Sequence, residues 1–291
     1  MVNQWRLINS YPENPYYNMA LDESLFLNYI FLRKPTLRIY SWRMPSFSLG
    51  FSQYADSVLD VSKCNSEGMG FVRRMSGGGV LYHDSEITYS VVCSQSDLGK
   101  VCSVKESFKL ICSFVIRFYR NLGLKPSFSC EIGSSFTKEH TDFCLASLQD
   151  YDITISGRKI GGNAQKRRGN VIFQHGSIPI QLDFALIKRY VKQDLSCIEK
   201  KATCLDKLTD MSLHAENTIP ILVNSFKESF SCDLKYEELS AYEVNRASLL
   251  EKQKYSTVEW NIYRKQPKLS ESEYDYARKT SITSCNETTL A

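Results

Sequence analysis

Three consecutive glycines, Gly77-Gly78-Gly79, stand between an apolar run ending in Arg73-Arg74 and a second one ending in His83-Asp84. No other stretch limits the fold as tightly. Glycines in a row cost backbone entropy, so they mark a place where the chain needs dihedrals closed to other residues or must let another group approach. A ligand over that backbone would meet amide donors from the glycines and positive charge from the arginines. A Gly-rich hairpin with exposed arginines fits the same letters. A second segment of the same kind, Gly157-Arg158-Lys159-Ile160-Gly161-Gly162, favours the functional reading.

With 291 residues, 43% hydrophobic and 23% charged, the chain has ordinary globular composition. It lacks an uninterrupted apolar run long enough to span a bilayer. The N-terminal Met-Val-Asn-Gln-Trp-Arg-Leu-Ile has no apolar core of a secretory signal, so the expectation is a cytoplasmic protein without a membrane segment. The ten cysteines are scattered without a CxxC pair, which predicts mostly small buried thiols in a reducing compartment and no metal site. A net charge of +4 does not point to nucleic acid, although it suits acidic protein partners.

Periodicity predicts a helix at 18–31, capped by Asn18, and another at 104–122, where Val104, Phe108, Ile111, Val115, Phe118 and Leu122 step by three and four. Further helices are expected at 183–193, at 220–230 starting on Pro220, and near 238–254. Strands are expected at 37–42 and 48–51 around Pro45, at 70–74 and at 80–92. Two hairpins follow, across Ser156-Gly157 and across Arg168-Gly169-Asn170. Residues 127–142 read as a mobile loop and those from 268 onward as a disordered tail. This mixture predicts an α+β fold of mixed, largely antiparallel sheets flanked by helices. The expected division is a catalytic domain over 1–235, a C-terminal helical segment over 236–267 packed on it, and the tail.

Lys159, between glycines on an apolar strand, is expected to be partly desolvated, which would lower its pKa and suit it to a carboxylate, phosphate or developing oxyanion. A solvated edge-strand lysine fits the same pattern. Asn163 and Gln165 could add neutral hydrogen bonds. His83 and Asp84 are strand neighbours that point to opposite faces, so only one reaches a given site. For His83, bonding the glycine loop and catalysis are both open; His175 precedes Gly176-Ser177. Cys144, between a polar loop and a strand, is a candidate nucleophile because a nearby lysine favours its thiolate, although nine other cysteines compete with it.

The pattern Arg-Arg-x-Ser-Gly-Gly-Gly-x-x-x-His-Asp at 73–84 resembles the signature of the biotin/lipoate protein ligase superfamily, on its lipoate branch. Gly-Arg-Lys-Ile-Gly-Gly-Asn-Ala-Gln at 157–165 resembles that branch's second signature, whose lysine contacts the acyl group. Asn18-Met-Ala-Leu-Asp-Glu and Tyr255-Ser-Thr-Val-Glu-Trp-Asn also fit, so the likeness covers about residues 4–263. The resemblance implies an amide formed between octanoate or lipoate and one lysine of a lipoyl domain, as in 2-oxoacid dehydrogenase E2 subunits and the glycine cleavage H protein. It implies Lys159 as catalytic, with Arg73, Gly77, Gly78, Gly79, His83, Gly161, Asn163, Gln165 and His175 around the substrate.

Two branches of the family are compatible with these motifs. Asp150-Tyr151-Asp152-Ile153 is closer to the cysteine-dependent octanoyltransferases than to the Arg-Asn-Asp-Leu usual in ligases, and Cys144 stands at the corresponding distance before Tyr151-Asp152. Octanoyl transfer from acyl carrier protein through a Cys144 thioester, with no cofactor, is the leading expectation. The full glycine triplet is ligase-like, and Leu145-Ala146-Ser147 replaces the proline context usual after the nucleophile. The alternative is an ATP-dependent lipoate–protein ligase working through lipoyl-AMP. It would need ATP and Mg, and Arg73 and the glycine loop would face the adenylate phosphate. A silent scaffold that only docks lipoyl domains is a third reading, opposed by the intact Lys159 and glycine loop.

Overall fold

The computed structural model describes residues 4–99, 103–131 and 142–267. Its centre is a sheet of six strands in the order Gly162–Arg168, Val171–Pro179, Glu86–Ser94, Thr36–Tyr40, Gln4–Asn9 and Asp233–Tyr236. The first four pair antiparallel and the last two join in parallel, as expected for α+β. Strand alternation gives each face its own core. Ile87, Tyr89, Val91 and Cys93 pack with Phe114, Phe118 and Phe226 from the helices Val104–Asn121 and Ala215–Phe230. Val92 faces the other way and packs with Ile8, Leu25, Phe26 and Phe173 under the helix Pro15–Leu32.

That helix starts a turn before the expected residue 18. Asn14 accepts from the Tyr17 amide at 2.9 Å and Pro15 takes the first helical position, where its missing N–H costs nothing. Asn18 lies buried inside the helix and donates to the Ser41 carbonyl at 3.0 Å instead of capping. The helix expected to start at Pro220 begins at Ala215, and Pro220 is tolerated within it. The strands on either side of Pro45 do not form one unit: Thr36–Tyr40 belongs to the large sheet, whereas Ser46–Leu49 is the middle strand of a second one, between Gly70–Arg73 and Leu81–His83. Short helices at Ala55–Val58 and Val61–Glu67 were not anticipated.

A third sheet orders Ala202–Thr203, Arg158–Ile160, Ile153–Ile155 and Pro126–Phe128. Its hairpin turns through Ser156 and Gly157, both at positive φ (51° and 72°), which matches the twist of a two-residue hairpin loop. Pro126–Phe128 and the 3-10 turn Ser129–Glu131 occupy the start of the expected mobile loop; most of the rest of that loop, and the tail from 268, lie outside the described residues. Near the C-terminus, Ala241–Leu250 packs on Pro15–Leu32, and the buried Arg6 donates to Glu243 at 2.9 Å. No helix among the described residues is long and apolar enough to cross a membrane.

Candidate active site

Cys144 opens a 3-10 turn, Cys144–Ala146, held directly against the glycine loop. The Val80 amide donates to the Asp142 carbonyl at 2.8 Å, and the Cys144 amide donates back to the Val80 carbonyl at 2.9 Å. A Cβ on Gly79 would lie 2.6 Å from the Asp142 oxygen and 2.9 Å from the Cys144 nitrogen, so only glycine permits this approach. Gly162 faces the thiol from the other side, where a Cβ would lie 3.0 Å from Cys144 Sγ. The cysteine itself is half-buried.

Lys159 is 1% exposed and reaches the same point. Its Nζ donates to the carbonyls of Cys144 (2.8 Å) and Ser147 (3.1 Å) and to Asp152 Oδ2 (2.6 Å), with Cys144 Sγ at 3.5 Å. Burial alone would lower its pKa, as the sequence suggested. Pairing with the Asp152 carboxylate and the Cys144 thiol outweighs burial and holds it above the usual lysine value. The ammonium is therefore a fixed cation at neutral pH and not a proton acceptor.

The two arginines before the glycine loop are structural clamps. The Arg73 guanidinium donates to five carbonyls, those of Gly50, Phe51, Gln53, Trp260 and Asn261. Arg74, also buried, holds the carbonyls of Gly77 (2.9 Å) and Gly79 (2.7 Å) together with that of Ser48 (2.7 Å). Two of the loop's three carbonyls are thus bound by Arg74, while the amides of Gly77, Gly78 and Gly79 have no acceptor among the described residues. Such free, preorganised donors suit an oxyanion.

His83 makes no hydrogen bond to the glycine loop among the described residues. It bonds Ser48 Oγ at 2.7 Å and Glu86 Oε1 at 2.8 Å, and stacks on Trp42 with centroids 4.0 Å apart. Its neighbour Asp84 is exposed, but not by strand alternation: the strand ends at His83 and Asp84 stands in the bend that follows. His175 reaches the loop's first residue, with Nε2 2.6 Å from Ser76 Oγ, and its Nδ1 lies 3.6 Å from Asp22. Burial keeps its pKa below the ordinary imidazole value, against the attraction of Asp22. Asn163 accepts from the Tyr89 hydroxyl at 2.6 Å, and Gln165 donates to Gln174 at 2.9 Å. Gly161 sits at φ +71°, and a Cβ there would lie 1.9 Å from the Ser177 oxygen; it lets the chain pass from the small sheet to the large one. Three supporting residues carry no role at the site in the sequence reading: Asp152, Asp22 and Ser76. Only Asp152 had a usable signal, since Thr154 pairs with Lys159 and Asp152 lies two residues along the same face.

Two cavities meet here. A cleft of about 580 Å³ lies between Val104, Lys105 and Phe108 on one side and Ser147–Asp152 on the other. A narrow void of about 30 Å³ runs beside Cys144, between Leu81, Gly162, His83 and His175 and on to Met19, Tyr40 and Trp42. Gly78, Asn163 and Ala164 line both.

A half-buried thiol 3.5 Å from a buried ammonium and packed against a glycine loop is an arrangement compatible with acyl-transfer chemistry. The family model described as the lipoyl protein ligase A/B catalytic domain matches residues 14–235. The chain belongs to that family, on the lipoate branch of the biotin/lipoate ligase superfamily, and is an acyltransferase of it. It is 32% identical over 272 residues to the octanoyltransferase LipM of Bacillus cereus, covering 89% of this chain and 98% of that one. To LipM of Kyrpidia tusciae it is 35% identical over 276 residues, covering 91% and 100%. Among solved structures it resembles lipoate-protein ligase A bound with ATP, with a TM-score of 0.75 at 24% identity over 89% of this chain and 98% of that one. A bi-partite lipoate protein ligase from Thermoplasma acidophilum, studied with its E2 lipoyl domain, gives 0.75 at 23% over 92% and 99%. At these identities the structural likeness shows a shared fold.

Proposed function

We propose that this chain moves an octanoyl group from the pantetheine thioester of acyl carrier protein to a lysine of a lipoyl domain, through a thioester on Cys144 and without a cofactor. The observation that carries the reading is the placement of the Lys159 ammonium 3.5 Å from Cys144 Sγ. A fixed positive charge in a low-dielectric site stabilises the thiolate, the nucleophilic form. Thiolate attack forms the Cys144–acyl bond and breaks the acyl–pantetheine bond, and the proton from the Cys144 thiol ends on the pantetheine sulfur. The carbonyl oxygen becomes an oxyanion, for which the unbonded amides of the glycine loop are the available donors. The acceptor lysine enters as the free amine and displaces the Cys144 sulfur; the amide forms, the thioester breaks and the amine's proton returns to the thiol. Lys159, already protonated, positions the Cys144–Ser147 turn and carries charge throughout; it does not act as base.

The catalytic unit in this reading is 1–235, with 236–267 bracing it and acceptors such as E2 subunits and the H protein outside it. The ATP-dependent version fits less well, because every guanidinium nitrogen of Arg73 is committed to carbonyls and none is left for an adenylate phosphate. Octanoyl–acyl carrier protein mixed with an apo lipoyl domain and this chain, without nucleotide, should give octanoylated domain. A strict requirement for ATP and free acid would overturn the reading.

A further inference from the structure

The void beside Cys144, about 30 Å³, has room for about one water. An eight-carbon chain can enter it only if part of the wall moves. Most of that wall is pinned. Trp42 donates to Thr88 at 2.8 Å and to Glu86 at 3.1 Å, and its ring is stacked on His83, which is itself bonded at both nitrogens. The Tyr40 hydroxyl donates to Asp22 at 2.9 Å, with the Arg38 guanidinium 3.8 Å from its ring centre. His175 is fixed by Ser76.

Leu81 and Met19 are the long side chains of the wall with no polar anchor. Leu81 lies at the thiol end, since its methyls and Cys144 Sγ would all lie 3.0 Å from a Cβ on Gly162. Met19 packs in a different core cluster, with Tyr40, Trp42, Leu250, Tyr255 and Trp260, so it lies at the end remote from the sulfur. It is 3% exposed, and an unbranched thioether turns over its three bonds more readily than the rings around it.

We infer that Met19 is the movable end wall of the acyl pocket and sets the length of chain that the enzyme accepts. The inference rests on the function proposed above for the acyl group it accommodates. Shortening Met19 opens space toward Leu250 and Trp260, where further methylenes can be buried. Replacing it with a stiff ring closes the space that an eight-carbon chain needs.

The test uses the full chain and two readouts. Calorimetry measures the affinities for hexanoate, octanoate and decanoate, and mass spectrometry follows acyl transfer from the matching pantetheine thioesters. Met19→Ala should raise the decanoate-to-octanoate affinity ratio about fifteenfold, the worth of two buried methylenes, and Met19→Phe should lower the octanoate-to-hexanoate ratio similarly. Ratios within about twofold of wild type in both folded variants would overturn the inference, because each methylene alone should change affinity roughly fourfold. Met19→Val takes the place of the alanine variant if the latter does not fold. Shifted affinities without any thioester would count against the proposed transfer and leave the end wall standing. Thioester formation with unshifted ratios would do the reverse.

Discussion

Lys159 Nζ lies 2.6 Å from Asp152 Oδ2, seven residues back along one hairpin, and both side chains are almost wholly buried. The same ammonium holds the carbonyls of Cys144 and Ser147, so one ion pair fixes both the place of the thiol and the charge beside it. The Asp152 carboxylate is anchored in turn by the Gln149 amide at 2.8 Å.

Lys159→Met strands the Asp152 carboxylate in the interior and should cost about 3–5 kcal/mol, the usual penalty for breaking a buried pair. Adding Asp152→Asn removes the stranded charge and should recover part of that loss while transfer stays abolished. Urea unfolding of the single and double variants measures it; equal stability of the two would show that the pair is not coupled.

Gly79→Ala puts a methyl 2.6 Å from the Asp142 oxygen and 2.9 Å from the Cys144 nitrogen, both backbone atoms that cannot turn aside. The cysteine turn must shift, and a displacement on the order of 1 Å in a reacting group costs roughly 10²-fold in rate. Transfer rates and thermal unfolding should therefore part company, with activity falling far more than stability. A variant with near wild-type rates would contradict the contact.

Asn261 Oδ1 accepts from the Arg73 amide at 2.7 Å, and the Trp260 indole donates to the Arg73 carbonyl at 2.8 Å. Asn261→Ala leaves a buried amide without its acceptor, a cost of about 1–3 kcal/mol. Because Arg73 adjoins Arg74 and the loop, faster hydrogen exchange is expected over residues 74–79. Exchange unchanged there would separate the C-terminal segment from the site.

His175 gives the acid limb of stability. Its folded pKa is held down by burial, so the unfolded chain takes up a proton that the folded one refuses. Stability should fall as the pH drops below about 6.5. His175→Gln should flatten that part of the curve. Asp22 and Glu86, also held below the ordinary carboxylate range despite burial, act further down, where carboxylates protonate. Melting temperatures across the acid range, wild type against variant, decide it.

Much of the site could be read from the chain because its parts are local. The glycine loop, the Lys159 hairpin and Cys144 each occupy a short stretch whose letters limit the backbone. What stayed hidden depends on residues far apart in sequence. Arg73 looked like a ligand contact because its carbonyl partners at Trp260 and Asn261 stand 187 and 188 positions away. The direction of the Lys159 shift was misjudged because desolvation can be guessed from a strand, whereas a paired carboxylate cannot. The helix starting at Pro15 was placed late because Asn18, a good capping residue, spends its side chain on Arg38 and Ser41.

The central claim is that acyl transfer passes through the Cys144 sulfur. Intact-mass measurement after mixing the chain with octanoyl–acyl carrier protein, without ATP or acceptor, tests it most directly. One octanoyl group should appear on the wild type, map to Cys144, and leave when a lipoyl domain is added; Cys144→Ala should gain none. An unmodified wild type whose ATP-dependent activity survives Cys144→Ala would contradict the account.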